Sequence, residues 1–574
     1  MVALYTATIF LGAALLFLLQ PMFARLVLPL FGGSPAVWNT AMVFFQAVLL
    51  AGYAYVHASL RWLGPRRQPL VHLPLMLLPF AVLPVAVGAG WTPPADANPA
   101  AWLLALLTAS IGLPFFVVST SSAVLQGWFA ATDHPRARDP YFLYAASNAG
   151  SMLALLVYPA LLETHFTLSQ QSALWSWGYG VLVVLTAGCA RQLHRRTAGN
   201  PTIHAEPKSS PPIGPDSRQR LRWVVLSFLP SSLLLGVTAH LSTEVAAIPL
   251  MWVVPLALYL ATFVLAFARH PLVPAGLPRR IYPILLVALV LLFNLQATVP
   301  VWGLSLLHLA VFFFAALLCH GQLATHRPDA ANLTEFYLWL ALGGALGGLF
   351  NGLLAPMLFN AVVEYPLALV LTAALALGPA MARWSDGLWP LALGIGVAGI
   401  FWFLGPNGSV APQIVFGLGA VACFLFSRRP LRFALGAAAL LLAGQTYDGQ
   451  RGRLLYRERS FFGVHRITTD ASGHFHQLLH GKTLHGRQSL DPTRRREALT
   501  YYHATGRRVK FSLGWPHGPD CASARSGSVP AHSPAICSPA RSGPTSRSTR
   551  SSRGWPATSV TSPIYVTPRC RCAW

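Results

Sequence analysis

The sequence predicts a mainly α, polytopic membrane helical bundle of about fourteen spans in two repeated halves, followed by a small β-rich module and a disordered tail. Three observations predict it. Of 574 residues, 54% are hydrophobic and only 10% charged, where soluble domains average about a quarter charged. The apolar residues gather in runs long enough to span a bilayer. Lys and Arg occupy alternate loops between those runs.

The spanning runs are 5–31, 37–56, 70–90, 102–125, 141–162, 172–190, 222–238, 246–268, 281–297, 303–320, 334–357, 364–382, 388–404 and 412–427, with a weaker fifteenth at 433–444. The first has neither a basic n-region nor a small-residue cleavage site, so it reads as a retained helix. A polar linker at 191–221 divides a first membrane half, 1–190, from a second, 222–445. A β-module at 446–508 and a tail at 509–574 follow.

Loops near 57–69, 131–140, 191–221, 269–280, 321–333, 383–387 and 428–432 carry Lys or Arg, and the alternate loops carry none. The positive-inside rule then expects a multi-pass protein of the inner (cytoplasmic) membrane with its N-terminus in the cytoplasm. Fourteen spans would leave the β-module cytoplasmic as well. The excess of 41 Lys+Arg over 17 Asp+Glu sits in these loops and in the tail, without any basic-aromatic or zinc-finger pattern. The expected partner is therefore the lipid bilayer and not nucleic acid. Seven cysteines show no CxxC or Cys/His ligand spacing, so neither a disulfide framework nor a metal is expected.

Tyr141-Phe-Leu-Tyr-Ala-Ala-Ser-Asn-Ala-Gly150 lines up with Phe336-Tyr-Leu-Trp-Leu-Ala-Leu-Gly-Gly-Ala345, and His134-Pro-Arg136 with His326-Arg327-Pro328. The fifth and eleventh spans thus correspond, as in a duplicated six-helix unit. Parallel duplications of this kind resemble major-facilitator-type transporters at the level of fold.

Within the spans, Arg25 follows Gln20-Pro21 inside the first apolar run, where a charge marks function or pairing unless it snorkels to an interface. Interface placement is the expectation for His240, Glu244, His308, His320 and Glu335, which share no proton-relay spacing. Gly344, Gly348 and Gly352, flanked by Gly343 and Gly347, form a small-residue stripe that lets helices approach closely.

In 452–503 polar and apolar residues alternate as in a soluble β-rich segment. Leu454–Tyr456, Val464–Ile467 and His474–Leu479 read as strands, with a turn at Asp470-Ala-Ser-Gly473. Tyr456-Arg-Glu-Arg-Ser-Phe-Phe-Gly-Val-His-Arg-Ile467, Leu479-His-Gly-Lys-Thr-Leu484, Gly486-Arg-Gln488 and Tyr502-His503 resemble the N-terminal β-module of spermidine synthases. Together with Leu28–Gln46 and Tyr141–Asn148, the chain is similar to membrane-fused spermidine-synthase-like proteins over roughly residues 1–505. His480 and Ala504 depart from the family pattern, standing where it has Asp and Glu.

The resemblance implies aminopropyl transfer from decarboxylated S-adenosylmethionine, as co-substrate, to a polyamine. It also implies a binding pocket to which Gln488, Tyr502 and His503 contribute. The nucleotide-binding catalytic domain of such a transferase should follow at once and does not. From Phe511 onward the chain is rich in Ser, Arg, Pro and Gly, and its only acidic residue is Asp520. Back-translating Arg525–Ser533 with GC-rich codons and shifting the frame yields Val-Gly-Leu-Gly-Thr-Gly-Ala-Leu, a nucleotide-binding glycine turn. The tail therefore reads as a frameshifted product, and the enzyme as inactive in this form. The rival expectation is a membrane transporter or scaffold whose synthase-like module only senses or docks, or another S-adenosylmethionine-dependent transferase.

Overall fold

The computed structural model describes residues 1–88, 90–91, 98–138, 140–198, 215–244, 252–268, 272–274, 276–295, 300–329, 332–378, 383–404, 411–447, 452–470, 472–481 and 483–500. Long apolar runs become helices because a chain in lipid must satisfy its own backbone hydrogen bonds. In the first half these are α1 (Val2–Phe31), α2 (Pro35–Leu77), α3 (Pro99–Ala130), α4 (Tyr141–Val157), α5 (Glu163–His165) and α6 (Leu168–Ala198). The second half contains α7 (Ser217–Glu244), α8 (Val253–Ala266), α9 (Gly276–Leu295), α10 (Val301–Thr325), α11 (Leu333–Leu349), α12 (Ala355–Leu358) and α13 (Glu364–Ala376). Three further helices follow: α14 (Ser385–Leu404), α15 (Pro412–Leu425) and α16 (Pro430–Ala443). Ten of the described helical segments are long and apolar enough to cross a membrane, and four shorter ones are apolar. The protein is a multi-pass membrane protein.

Local signals set the helix ends. Gly64 has φ 71°, and this left-handed residue breaks α2 into two arms between Arg61 and Arg66. The expected second and third spans are thus one element bent at a basic turn. Asn98 caps α3 by accepting the Ala100 N–H at 3.0 Å, with Pro99 in the first helical position.

Helix pairing shows a duplication. Helix α4 packs chiefly on α1, and α11 on α7. At Gly150 an added side-chain carbon would lie 2.6 Å from the Phe10 carbonyl oxygen; at Gly347 it would lie 2.7 Å from that of Phe228. The same close approach therefore recurs, with Phe10-Leu-Gly-Ala-Ala-Leu15 in register with Phe228-Leu-Pro-Ser-Ser-Leu233. Helices α4 and α11 also both run into five-residue π-turns, Tyr158–Leu162 and Phe350–Leu354. Between the halves the pairing is crossed: α2 packs on α11, and α8 on α4. A two-fold relation between two parallel repeats requires that exchange.

The bundle has a basic end and a neutral end, named for its loops. Asp386, at the start of α14, bonds Arg429 at 3.2 Å and Arg432 at 3.0 Å, at the start of α16. At the opposite end Asn294, near the end of α9, donates to the Leu440 carbonyl at 3.1 Å. Helix α16, 14 residues long, therefore runs from the basic end and finishes at the neutral end.

Four strands follow: β1 (Arg453–Ser460), β2 (Gly463–Thr469), β3 (Phe475–His480) and β4 (Thr483–Ser489), in sheet order β1-β2-β3-β4. Strands β1 and β2 pair antiparallel, with an irregularity between Leu454 and Tyr456. The expected turn is present, with the Gly473 N–H donating to the Asp470 carbonyl at 2.9 Å.

The described chain divides into two compact units, residues 1–473 with 478–484, and residues 474–477 with those from 485 to 500. Inside the first, Arg459 of β1 binds Glu364 at 2.7 Å and the Ala361 carbonyl at 3.0 Å. A side-chain carbon on Gly481 would meet the Thr243 carbonyl oxygen at 3.0 Å. Thr243, Ala361 and Glu364 all belong to the neutral end. Fourteen spans would put the sheet at the basic end; these contacts put its first-unit residues against the neutral one. Inside the second unit the Arg487 guanidinium lies 3.7 Å over the Phe475 ring, and Leu490 N–H donates to the His474 carbonyl. The tail beyond residue 500 lies outside the described residues.

Candidate functional site

The crossed helices place a polar seam inside an otherwise apolar bundle. From the first half, α2 contributes Asn39, Thr40 and Gln46. Helix α7 contributes Ser231 and Ser232, and the π-turn after α11 contributes Asn351. Gln46 donates to the Ser231 hydroxyl at 3.0 Å, and that hydroxyl donates to the Gly344 carbonyl at 2.8 Å. Asn351 donates to the Ser232 hydroxyl at 2.5 Å and to the Gly347 carbonyl at 3.2 Å.

The glycine stripe makes this approach possible by facing two ways. Gly343 and Gly347 lie against Val224 and Phe228 of α7, while Gly348 and Gly352 lie against Gln46, Val43 and Asn39 of α2. Small residues at a membrane helix crossing let backbones approach and polar groups meet. The π-turn at 350–354 rotates Asn351 into the seam; such turns are frequent at functional sites.

Three amide oxygens and one hydroxyl along the seam are left over. Asn39 Oδ1, Gln46 Oε1, Asn351 Oδ1 and Thr40 Oγ1 are buried without a hydrogen-bond partner. An unmet buried polar atom costs roughly 1–3 kcal/mol. Side chains at the seam carry no formal charge.

Aromatic contacts between the halves close both ends. At the neutral end Trp38, at the start of α2, stacks on Trp252, just before α8, with centroids 3.5 Å apart. Toward the basic end Tyr144 of α4 stacks on Tyr337 of α11 at 5.0 Å and meets Phe263 of α8 and Phe267 just after it edge-on. Tyr337 donates to Gln126 at 2.7 Å, and Tyr141 to the Pro328 carbonyl at 2.8 Å. A cavity of about 330 Å³, lined by His57, Arg61, Thr334 and Glu335 among others, opens at the basic end between α2, α3 and α11.

The residues singled out by sequence fall elsewhere. Arg25 forms an ion pair with Glu163 near the end of α1, its side chain 37% exposed. Gln488 is half-buried on β4, in the second unit. Tyr502 and His503 lie outside the described residues. Sequence reasoning missed Asn39, Gln46 and Asn351, whose signal was amides inside apolar runs. It also separated His240 from His308, which the fold brings together. Among the described residues no group of three His, Cys, Asp or Glu side chains is placed to hold a metal.

No protein-family model matches the chain, and no curated protein does. Solved structures similar to it include the human organic anion transporter MFSD10 (TETRAN), at 15% identity and TM-score 0.40, covering 64% of this chain and 99% of that one. Another is the inward-open xylose transporter XylE from E. coli, at 13% identity and TM-score 0.40, covering 74% and 95%. The expected membrane-fused spermidine-synthase identity, and with it aminopropyl transfer, polyamine biosynthesis and a transferase role, is corrected by these findings: the similar structures are transporters. The resemblance rested on short stretches, Leu28–Gln46 and Tyr141–Asn148 in the membrane part and the patterning of 452–503.

Proposed function

We propose that the chain is a membrane transporter that moves a small polar solute along the seam between its two helical halves. The observation that carries this reading is the uncharged line of buried acceptors contributed by both halves and closed at each end by aromatic contacts. A fixed scaffold has no use for four unmet acceptors at its central crossing, whereas a solute path needs them. Their chemistry favours a neutral or cationic solute rich in hydrogen-bond donors. Loop charges support an inner-membrane location with the N-terminus and the basic end in the cytoplasm. The β-sheet would then lie on the external face.

Uptake by the purified full chain in proteoliposomes tests this. Radiolabelled polyols, small amides and alkylammonium ions should be compared with organic anions, in the wild type and in Gln46→Leu and Asn351→Leu. Saturable uptake of one donor-rich class, lost at least tenfold in both variants while they remain folded, is expected. Uptake indifferent to both substitutions, or no saturable uptake of any donor-rich class, would overturn the seam as the path.

A further inference from the structure

Four helices of the second half converge on a second polar cluster, toward the neutral end. His308 of α10 and Tyr365 of α13 are each 1% exposed, and His308 Nδ1 lies 2.9 Å from the Tyr365 hydroxyl. The His240 ring of α7 sits 4.3 Å from that of His308, centroid to centroid, and 5.7 Å from Tyr365. Phe293 of α9 walls the group, its ring 5.5 Å from His308 and 5.6 Å from His240. One turn before His240, Gly236 lets the Tyr365 side chain approach, since an added carbon would meet Tyr365 Cβ at 3.0 Å.

We propose that His240, His308 and Tyr365 form a binding site for a single proton, loaded from the neutral end. Two imidazoles this close in a low-dielectric interior cannot both be charged without strong repulsion, so the pair takes up at most one proton. The phenol suits both protonation states, because its hydroxyl accepts from an Nδ1–H or donates to a bare Nδ1.

Charged and titratable groups stand at the ends of the surrounding helices and in the sheet, where His465 and His480 stack on each other. Helix α13 adds Glu364, which is paired with Arg459 of β1. Helix α9 faces the site with Phe293 and carries the neutral Asn294 beside it; α7 also carries Glu244 at its end. On α10 the other titratable side chains are Cys319 and His320, three turns away, and α16, packed on α13, has its only charge, Arg432, at the basic end.

Two comparisons within the molecule separate this cluster from ordinary packing. The register equating Phe10 with Phe228 puts Met22 at the position of His240, so the first half builds the same helix without the imidazole. His320 is equally buried but stands with Thr262 at 2.8 Å and against the Phe263 ring, with no second imidazole. A role for the proton in driving solute movement rests on the transporter reading; proton binding does not.

Histidine C2-hydrogen exchange, followed by mass spectrometry on the full chain in nanodiscs, measures each imidazole's titration with no solute present. The absence of solute uptake would therefore leave this test intact. Over about pH 4 to 10 the His240–His308 pair should titrate in two steps separated by more than about one unit. His240→Met should collapse these to one step at His308, while Tyr365→Phe should shift both, with His320 unchanged in each. If His240→Met does not fold, Tyr365→Phe decides alone. Independent titrations unmoved by Tyr365→Phe, or no titration at either residue, would overturn the proposal.

Discussion

Glu364 and Arg459 make the clearest residue-scale test of what holds the sheet to the helices. Their side chains are only 3% and 12% exposed. Removing one partner of such a pair strands a buried charge at a cost of about 3–5 kcal/mol, whereas replacing both with apolar residues is often neutral. Hydrogen exchange in β1 should therefore accelerate strongly in Glu364→Leu and in Arg459→Met. It should return toward wild type in the double variant. Equal exchange in all four proteins would mean the pair has no anchoring role. A second residue-scale prediction separates the glycines. Gly347→Leu should lower stability by about 1–3 kcal/mol or more through overpacking against Phe228, read as a reduced melting temperature. Gly344→Ala should be neutral or slightly stabilising, since nothing lies within 4 Å of an added carbon there.

At the scale of elements, the apolar runs were legible because lipid demands helices of a certain length and leaves few alternatives. The β-turn at 470–473 and the strands around it were legible for a similar reason, through alternation and a glycine. What the sequence could not show was the weight of 14-residue helices such as α16, which is short for a span and counts only through its packing on α13 and α14. That one helix decides which end receives the sheet. The seam was equally hidden: Asn39, Gln46 and Asn351 are far apart in the chain, and only the crossed pairing of α2 with α11 joins them. The topology is testable. A cysteine at exposed Ser472, with Cys521, Cys537, Cys570 and Cys572 replaced by Ser, should react with a membrane-impermeant maleimide in intact cells. The remaining cysteines, 189, 319 and 423, are buried. Labelling only after the membrane is opened would return the sheet to the cytoplasmic side.

At the scale of the whole molecule, two parallel repeats exchange helices across one polar seam, and each end of the seam is shut by a different pair of aromatic side chains. On the proposed transporter reading, one end parts while the other stays closed. The asymmetry between the halves, an imidazole pair in one and Met22 in the register of the other, gives the motion a place to be biased. Spin-label distances test this most directly, with no need to know the solute. Labels at Gly33 and Trp302 report the neutral end, and labels at Trp62 and Leu272 the basic end; all four positions are exposed. Breaking the Trp38–Trp252 stack with Trp38→Ala should lengthen the first distance while the second stays short. Tyr337→Ala should do the reverse. If each distance remains a single unchanged population in both variants, the two halves do not move about the seam and the transporter account is wrong.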